Sequence, residues 1–507
     1  MIDVDAANIY LNVRNVSING GEKMKKILLS VMFLVLTGLL IACNKTDNDD
    51  EGVVITYAAW NLGTEEANNI ERRLIDEFMV ANPDITVEVI ERPKTVDEEG
   101  NESDVSWDEF FAAQAAIGQM PDVFMSDSVI KAVMNGWAED IMTIASQDDE
   151  FNLLSQDIRD AATINNKLYA LPQALYYMGY FINRTVINEA GAGAIVPEYG
   201  ISYDELMIAA QANAKQPVVG GDGIAGIDGV NNLIGWLPAQ YDASIDWFTY
   251  SDDGFNFDSN AFELAVNEQM KYYGAGSTGY SNYVLETQEN RADRYGEGDP
   301  FANGKQSIKW EGSYNLRDWL SSTLDEESGL YGADIDFIGT PSVTYEGTTN
   351  HRIPVVLDYI AVGQGTEYPE EAYAFAKWMG FGSEGYSKRL EIAKNHPEAG
   401  AVNFAPMIND EQIVEDFFEL YPTLTEFKKI VTQHEDFIIE SLAKTVPGYV
   451  EVRWTASYNA ELTMAAVFDQ IVAGDLALAD ALSAGLNTIA NREYNNAKSA
   501  LDEVTGS

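Results

Sequence analysis

The sequence predicts an α/β fold with many helices. Three observations carry this: a β-α-β pattern over residues 53–89, alternating strand and helix signals up to Met379, and a mostly helical stretch from Glu411 onward. A chain of 507 residues corresponds to about two or three domains at roughly 100–200 residues each. With 46% hydrophobic residues each can bury a core.

The first element is a targeting segment. Residues 24–43, MKKILLSVMFLVLTGLLIAC, pair Lys25 and Lys26 with an apolar run, which is secretory-signal anatomy. Leu40-Ile41-Ala42-Cys43 resembles a bacterial lipobox, and Cys43 is the chain's single cysteine. The expectation is a signal peptide over 24–42, acylation (palmitate) at Cys43, Met24 as initiator and 1–23 as a mis-assigned extension. A transmembrane anchor is the alternative at this length. Asn44–Gly52 is polar and acidic and reads as a solvated tether. Asp47, Asp49, Glu51 and Gly52 match the opening of a calcium loop, but its twelfth position is Ala58 instead of a bidentate Glu. No metal site is assigned.

Val53–Ala59, apolar and bounded by turn residues, reads as a buried strand. Thr64 is placed to cap a helix with Ile70, Leu74 and Phe78 on one face. Asn82-Pro83 ends it, and the alternation of Ile85, Val87 and Val89 reads as a strand. Ser106 and Glu109 form a capping box for a helix over Trp107–Ile117. Pro121–Met125 is the next strand. Asn166–Pro172 is a turn plus a short strand, and Gln173–Asn183 is rich in tyrosine. Helical patterns follow at Tyr203–Ala214 and Ala261–Tyr273, with a hairpin tip at Ser251–Ser259. Ile353–Val362 is a strand, Pro369 opens a helix, and a helical tail runs from Glu461 to Val504.

Charge narrows the function. With 81 acidic against 31 basic residues the net charge is −50; without residues 1–42 the balance is 27 basic against 78 acidic, or −51. Nucleic acid is therefore not an expected partner. Three histidines, scattered in sequence, leave no metal cluster. Gly221-x-Gly223-x-x-Gly226 lacks the strand and helix of a dinucleotide site. Gly304-Lys305-Gln306-Ser307 lacks the first Gly and the hydroxyl residue of a P-loop. No cofactor is expected. Two carboxylates suffice for a glycosidase, so a surface glycan-active enzyme stays open on residue types alone.

Several segments together resemble the extracellular solute-binding proteins of ABC importers, in the sugar-binding class that includes maltose-binding protein. They are ITYAAWNLGTEEANNIERRLIDEFMVANPDITVEVI at 55–90, WDEFFAAQAAIGQMPDVFMSD at 107–127, NNKLYALPQALYYMGYFINRTVINEAG at 165–191, FANGKQSIKWEGSYNLRDW at 301–319, and DYIAVGQGTEYPEEAYAFAKWMGFGSEGYSKRL at 358–390. The resemblance implies a type II periplasmic-binding-protein fold. Its two hinge-linked α/β lobes would lie at 53–172 plus 342–392 and at 173–341 plus 393–507, closing on a solute. It further implies a non-enzymatic, monomeric, lipid-anchored protein on the extracellular membrane face, handing a carbohydrate, an oligosaccharide in particular, to permease subunits.

Sugars offer C–H faces to aromatic rings and hydroxyls to carboxylates. Family contact positions fall on Trp60 and Asn61, on Ser126 and Asp127, on Tyr176 with adjacent Tyr177, and on Tyr314 flanked by Trp310 and Glu311. Asp358 and Tyr359 stand where many relatives carry small residues. Trp236 is a looser candidate, with Trp247 and Trp454. A cationic solute such as a polyamine is the runner-up ligand, since the chain's charge attracts cations.

Overall fold

The computed structural model describes residues 52–96, 100–217, 220–273, 283–288 and 290–506. The expected signal peptide, Cys43 and all but the last residue of the tether lie outside the described residues. Nine strands form the main sheet: β1 (Val53–Ala58), β2 (Ile85–Val89), β3 (Val123–Ser126), β4 (Leu171–Asn183), β5 (Ala225–Ile227), β6 (Gln306–Gly312), β7 (Ile335–Gly339), β8 (Ile353–Val362) and β9 (Phe437–Ile439). Their spatial order is β2-β1-β3-β8-β4-β6-β5, with β7 paired to β4 and β9 to β8.

β1 pairs in parallel with β2 and β3, as the opening β-α-β pattern predicts. The intervening helix, Ile70–Ala81, buries Ile70, Leu74 and Phe78, but it starts later than Thr64. Asn68 takes a positive φ of 42°, a conformation that Asn tolerates and that interrupts a helix. Asn69 then caps the helix, its side chain accepting from the Arg72 N–H at 3.1 Å.

The tyrosine-rich stretch is one strand of 13 residues, every one buried. A strand covered on both faces loses its polar alternation, so its length does not show in the pattern. β4 pairs antiparallel with β8 over Leu171–Tyr177 and with β6 and β7 from Met178 onward. Gly179 allows this crowding, because a Cβ there would lie 2.4 Å from the Gly339 backbone. The C-terminal third is largely helical but carries β9, parallel to β8.

Two large hydrophobic cores flank the sheet. In the first, Tyr57 and Phe78 meet Phe375 edge-on with centroids 5.0 Å apart, and Trp378 closes the cluster. The buried pair Glu71–Arg389, 2.7 Å apart, lies in the same layer. The second core is built on Phe248, Phe257, Phe262 and Phe468. β4 serves both, with Leu171 and Leu175 in the first and Tyr180 and Ile182 in the second. Phe301, Trp319, Phe404 and Phe417 pack in the first core, so core membership does not change at the expected boundaries 172/173 and 392/393. No described helix is long and apolar enough to cross a membrane.

Candidate functional site

β4 and β8 run side by side where the two cores meet. Their register sets Tyr176 opposite Val356 and Ala174 opposite Asp358, and directly opposed side chains of an antiparallel pair share a face. A register shift falls between Asp358 and Tyr359, with Gln173 the extra residue on β4. Bulges of this kind increase local twist.

Tyr314 reaches this face from the single turn Ser313–Asn315 that follows β6. Its ring meets Tyr176 edge-to-face at 5.7 Å and 79°. The Tyr314 hydroxyl donates to Glu311 Oε1 at 2.7 Å, and the same oxygen accepts from the Gly312 N–H at 3.0 Å. Phe404 flanks Tyr176 at 6.2 Å, and Asn403 Nδ2 stands 3.5 Å from the Tyr176 hydroxyl. Burial pushes both phenols up; Asp358 adds to this at Tyr176 and Glu311 at Tyr314. Both rings therefore stay neutral hydroxyl donors.

Asp358 is paired with Lys444, whose Nζ donates to Asp358 Oδ1 at 2.5 Å and to the Leu357 carbonyl at 2.9 Å. Glu440, immediately after β9, is half-buried. Burial pushes its carboxyl up to about 7 against the pull of Lys444. The cluster offers a half-exposed aromatic ring beside carboxylate oxygens, which suits stacking and hydroxyl recognition.

The structure thus gathers Tyr176, Tyr314, Glu311 and Asp358. Trp60 and Asn61 lie in the loop after β1, braced by Arg72, which donates to the Leu62 and Gly63 carbonyls. Trp60 is exposed, and the Asn61 side-chain oxygen is buried without a partner among the described residues. Ser126 is buried, its hydroxyl donating to the Ser128 carbonyl at 2.9 Å. Exposed Asp127 pairs with Lys131 at 3.1 Å. None of these four contacts the tyrosine pair directly.

Four expectations need correcting. Tyr177 points to the face of β4 opposite Tyr176 and packs on Phe427 and Phe437. Trp236 and Tyr359 are 0% exposed, and a solute would reach them only by unpacking a core. Trp310 alternates away from Glu311 and stacks on Trp236 at 5.9 Å, against the second core. Trp247 is likewise buried, whereas Trp454 is exposed beside Tyr449.

Lys444, Glu440, Asn403 and Phe404 were not legible as site residues. Phe437-Ile438-Ile439, three apolar residues between Asp436 and Glu440, is the only local hint for Glu440 and is too short to read as a strand. Two surface grooves, one beside Tyr199 and Ile208 and one beside Arg72 and Met79, lie apart from the tyrosine pair.

A profile described as bacterial extracellular solute-binding protein matches residues 63–381. The chain belongs to that family. No curated protein sequence matches it. Among solved structures, an ABC substrate-binding protein from Listeria monocytogenes in complex with cycloalternan aligns at TM-score 0.55 and 16% identity. The alignment covers 90% of this chain and 99% of that one. A sugar transporter from Rhizobium etli in an open conformation aligns at 0.60 and 13%, covering 86% and 99%. A cyclo/maltodextrin-binding protein complexed with maltotetraose aligns at 0.58 and 16%, covering 89% and 98%. At these identities the likeness concerns the fold, which is the type II binding-protein fold implied by the sequence. Members of this solute-binding family are binding proteins by description, and the paired tyrosines lie where its two cores adjoin.

Proposed function

We propose that this protein captures a carbohydrate, in particular an oligosaccharide, and delivers it to the permease of an ABC importer. The observation that carries the reading is the Tyr176–Tyr314 pair with Glu311, Asp358 and Lys444 at the meeting of the two cores. The aromatic rings take the C–H faces of a sugar and the carboxylates take its hydroxyls. Solved relatives of this fold in complex with maltotetraose and cycloalternan support the same ligand class. In this reading two lobes, each built on one of the two hydrophobic cores, close on the solute by bending β4 and its neighbours, and the closed surface engages the permease. Trp60 and Asn61 complete the site from the first lobe on closure. The protein acts as a monomer and without chemistry of its own, and Cys43 carries the lipid that holds it to the outer membrane face.

Thermal unfolding of the full chain against a panel of maltotetraose, raffinose, xylotetraose and spermidine tests this. A bound glycan is expected to raise the midpoint by several degrees at concentrations well above its dissociation constant. The shift is expected to vanish in Tyr314→Ala. A response to spermidine alone would replace the carbohydrate reading with a cationic ligand. In cells fed labelled palmitate, the label is expected on the wild-type chain and absent from Cys43→Ser.

A further inference from the structure

One carboxyl group beside this site enters no ion pair among the described residues. Glu440 is fixed by its backbone, whose N–H donates to the Val355 carbonyl at 2.8 Å while its carbonyl accepts from the Leu442 N–H at 2.7 Å. Its side chain meets no hydrogen-bond donor among the described residues. Lys444, the nearest cation, is committed to Asp358 and to the Leu357 carbonyl. Asp358 in turn uses only Oδ1 in that pair. Parallel pairing sets Ile439 beside Val355, so Glu440 follows beside Val356, on the face that carries Tyr176. The titratable groups in its field are Lys444 from the helix Leu442–Thr445, Tyr314 from the turn after β6, and Tyr449 from the segment beyond that helix. Glu311 and Asp358 stand behind Tyr314 and Lys444 respectively.

A half-buried carboxyl with no protein donor is only partly solvated in the empty protein, and that shortfall has a cost. Beside a half-exposed aromatic ring, such a group is complementary to a ligand that brings its own donors. We infer that Glu440 is a specificity-determining residue of this site: with the free oxygen of Asp358 it accepts hydrogen bonds from hydroxyl groups of a glycan stacked on Tyr314, and so makes capture pH-dependent. The inference rests on the carbohydrate reading above. The sign follows from the geometry. A solute hydroxyl donates best to the ionised carboxylate, so binding draws Glu440 towards its charged form and expels the proton it carries. The raised titration of Glu440, about 7 in the empty site, puts this exchange near neutrality. Capture is therefore strongest in neutral to alkaline medium and weakens on acidification.

Isothermal titration of the full chain with maltotetraose, raffinose and xylotetraose, at pH 6, 7 and 8 and in two buffers of different ionisation enthalpy, tests the inference. The wild type is expected to bind its glycan roughly fivefold more weakly at pH 6 than at pH 8. It should also release about half a proton per glycan at pH 7. Glu440→Gln keeps an acceptor but loses the charge. It is expected to bind about fivefold more weakly than wild type at pH 8, with neither pH dependence nor proton release. Wild-type affinity and proton release in Glu440→Gln would overturn the inference while leaving the carbohydrate reading intact. Absence of binding by all three glycans would overturn both. If Glu440→Gln does not fold, the wild type decides: binding at pH 7 with no proton release overturns the assignment.

Discussion

Tyr57 holds a buried hydroxyl with no partner among the described residues, in the field of Glu71. Burial first, then Glu71, pushes its ionisation far up, so the group is a neutral donor with nothing to donate to. Removing it deletes an unmet polar group while keeping the ring that packs on Phe375. Tyr57→Phe is expected to stabilise the fold by about 1 kcal/mol, read as a higher urea midpoint at unchanged slope. The same residue type explains the limits of sequence reading at this scale. Tyr176 and Tyr177 are adjacent and alike, yet one faces the site and the other Phe427. Chain pattern assigns alternating faces but cannot say which face a neighbour covers. Tyr359 and Trp236 have the chemistry of a sugar site yet lie in the cores, because large aromatics serve both purposes.

The helix Ile70–Ala81 is tied to the helix Ser383–Asn395 by Glu71 and Arg389, both nearly inaccessible. Arg389 also donates to the Met379 carbonyl at 2.9 Å. Glu71→Ala leaves the guanidinium buried and unpaired, at an expected cost of about 3–5 kcal/mol. Glu71→Leu combined with Arg389→Met is expected to recover most of that loss, which a double-mutant cycle of urea titrations checks. Elements with caps and clean periodicity were legible. Ser106 caps its helix as expected, its hydroxyl accepting from the Glu109 N–H at 3.2 Å, and Ile353–Val362 is a strand at both predicted ends. What escaped were elements set by tertiary cover: β4, whose two buried faces erase alternation, and β9, too short to carry a pattern.

Across the whole molecule, two of the three histidines meet. His351 and His434 lie edge-to-face at 4.8 Å, and Tyr199 bonds His434 Nδ1 at 3.0 Å. Burial lowers both, and His351 adds to the effect on His434, held at about 4. In the unfolded chain a histidine titrates near 6.5. Between those values the unfolded state takes up protons that the folded state refuses, so this stability is present above about 6.5 and is lost as pH falls towards 4. The unfolding temperature is expected to drop from pH 7 to pH 5 more steeply in the wild type than in His434→Gln, as calorimetry at the two pH values would show. The long shared strand has a consequence for how the chain is made. Every partner of β4 is synthesised after it, beginning with β6 at Gln306 and ending with β8 at Val362. Thirteen residues that end up buried thus wait through the synthesis of more than a hundred others before any ladder can form. Neither core can finish early on the ribosome, so folding is a late, collective event with a slow, high-contact-order transition. Such delay keeps the chain extended for as long as an export channel needs it so.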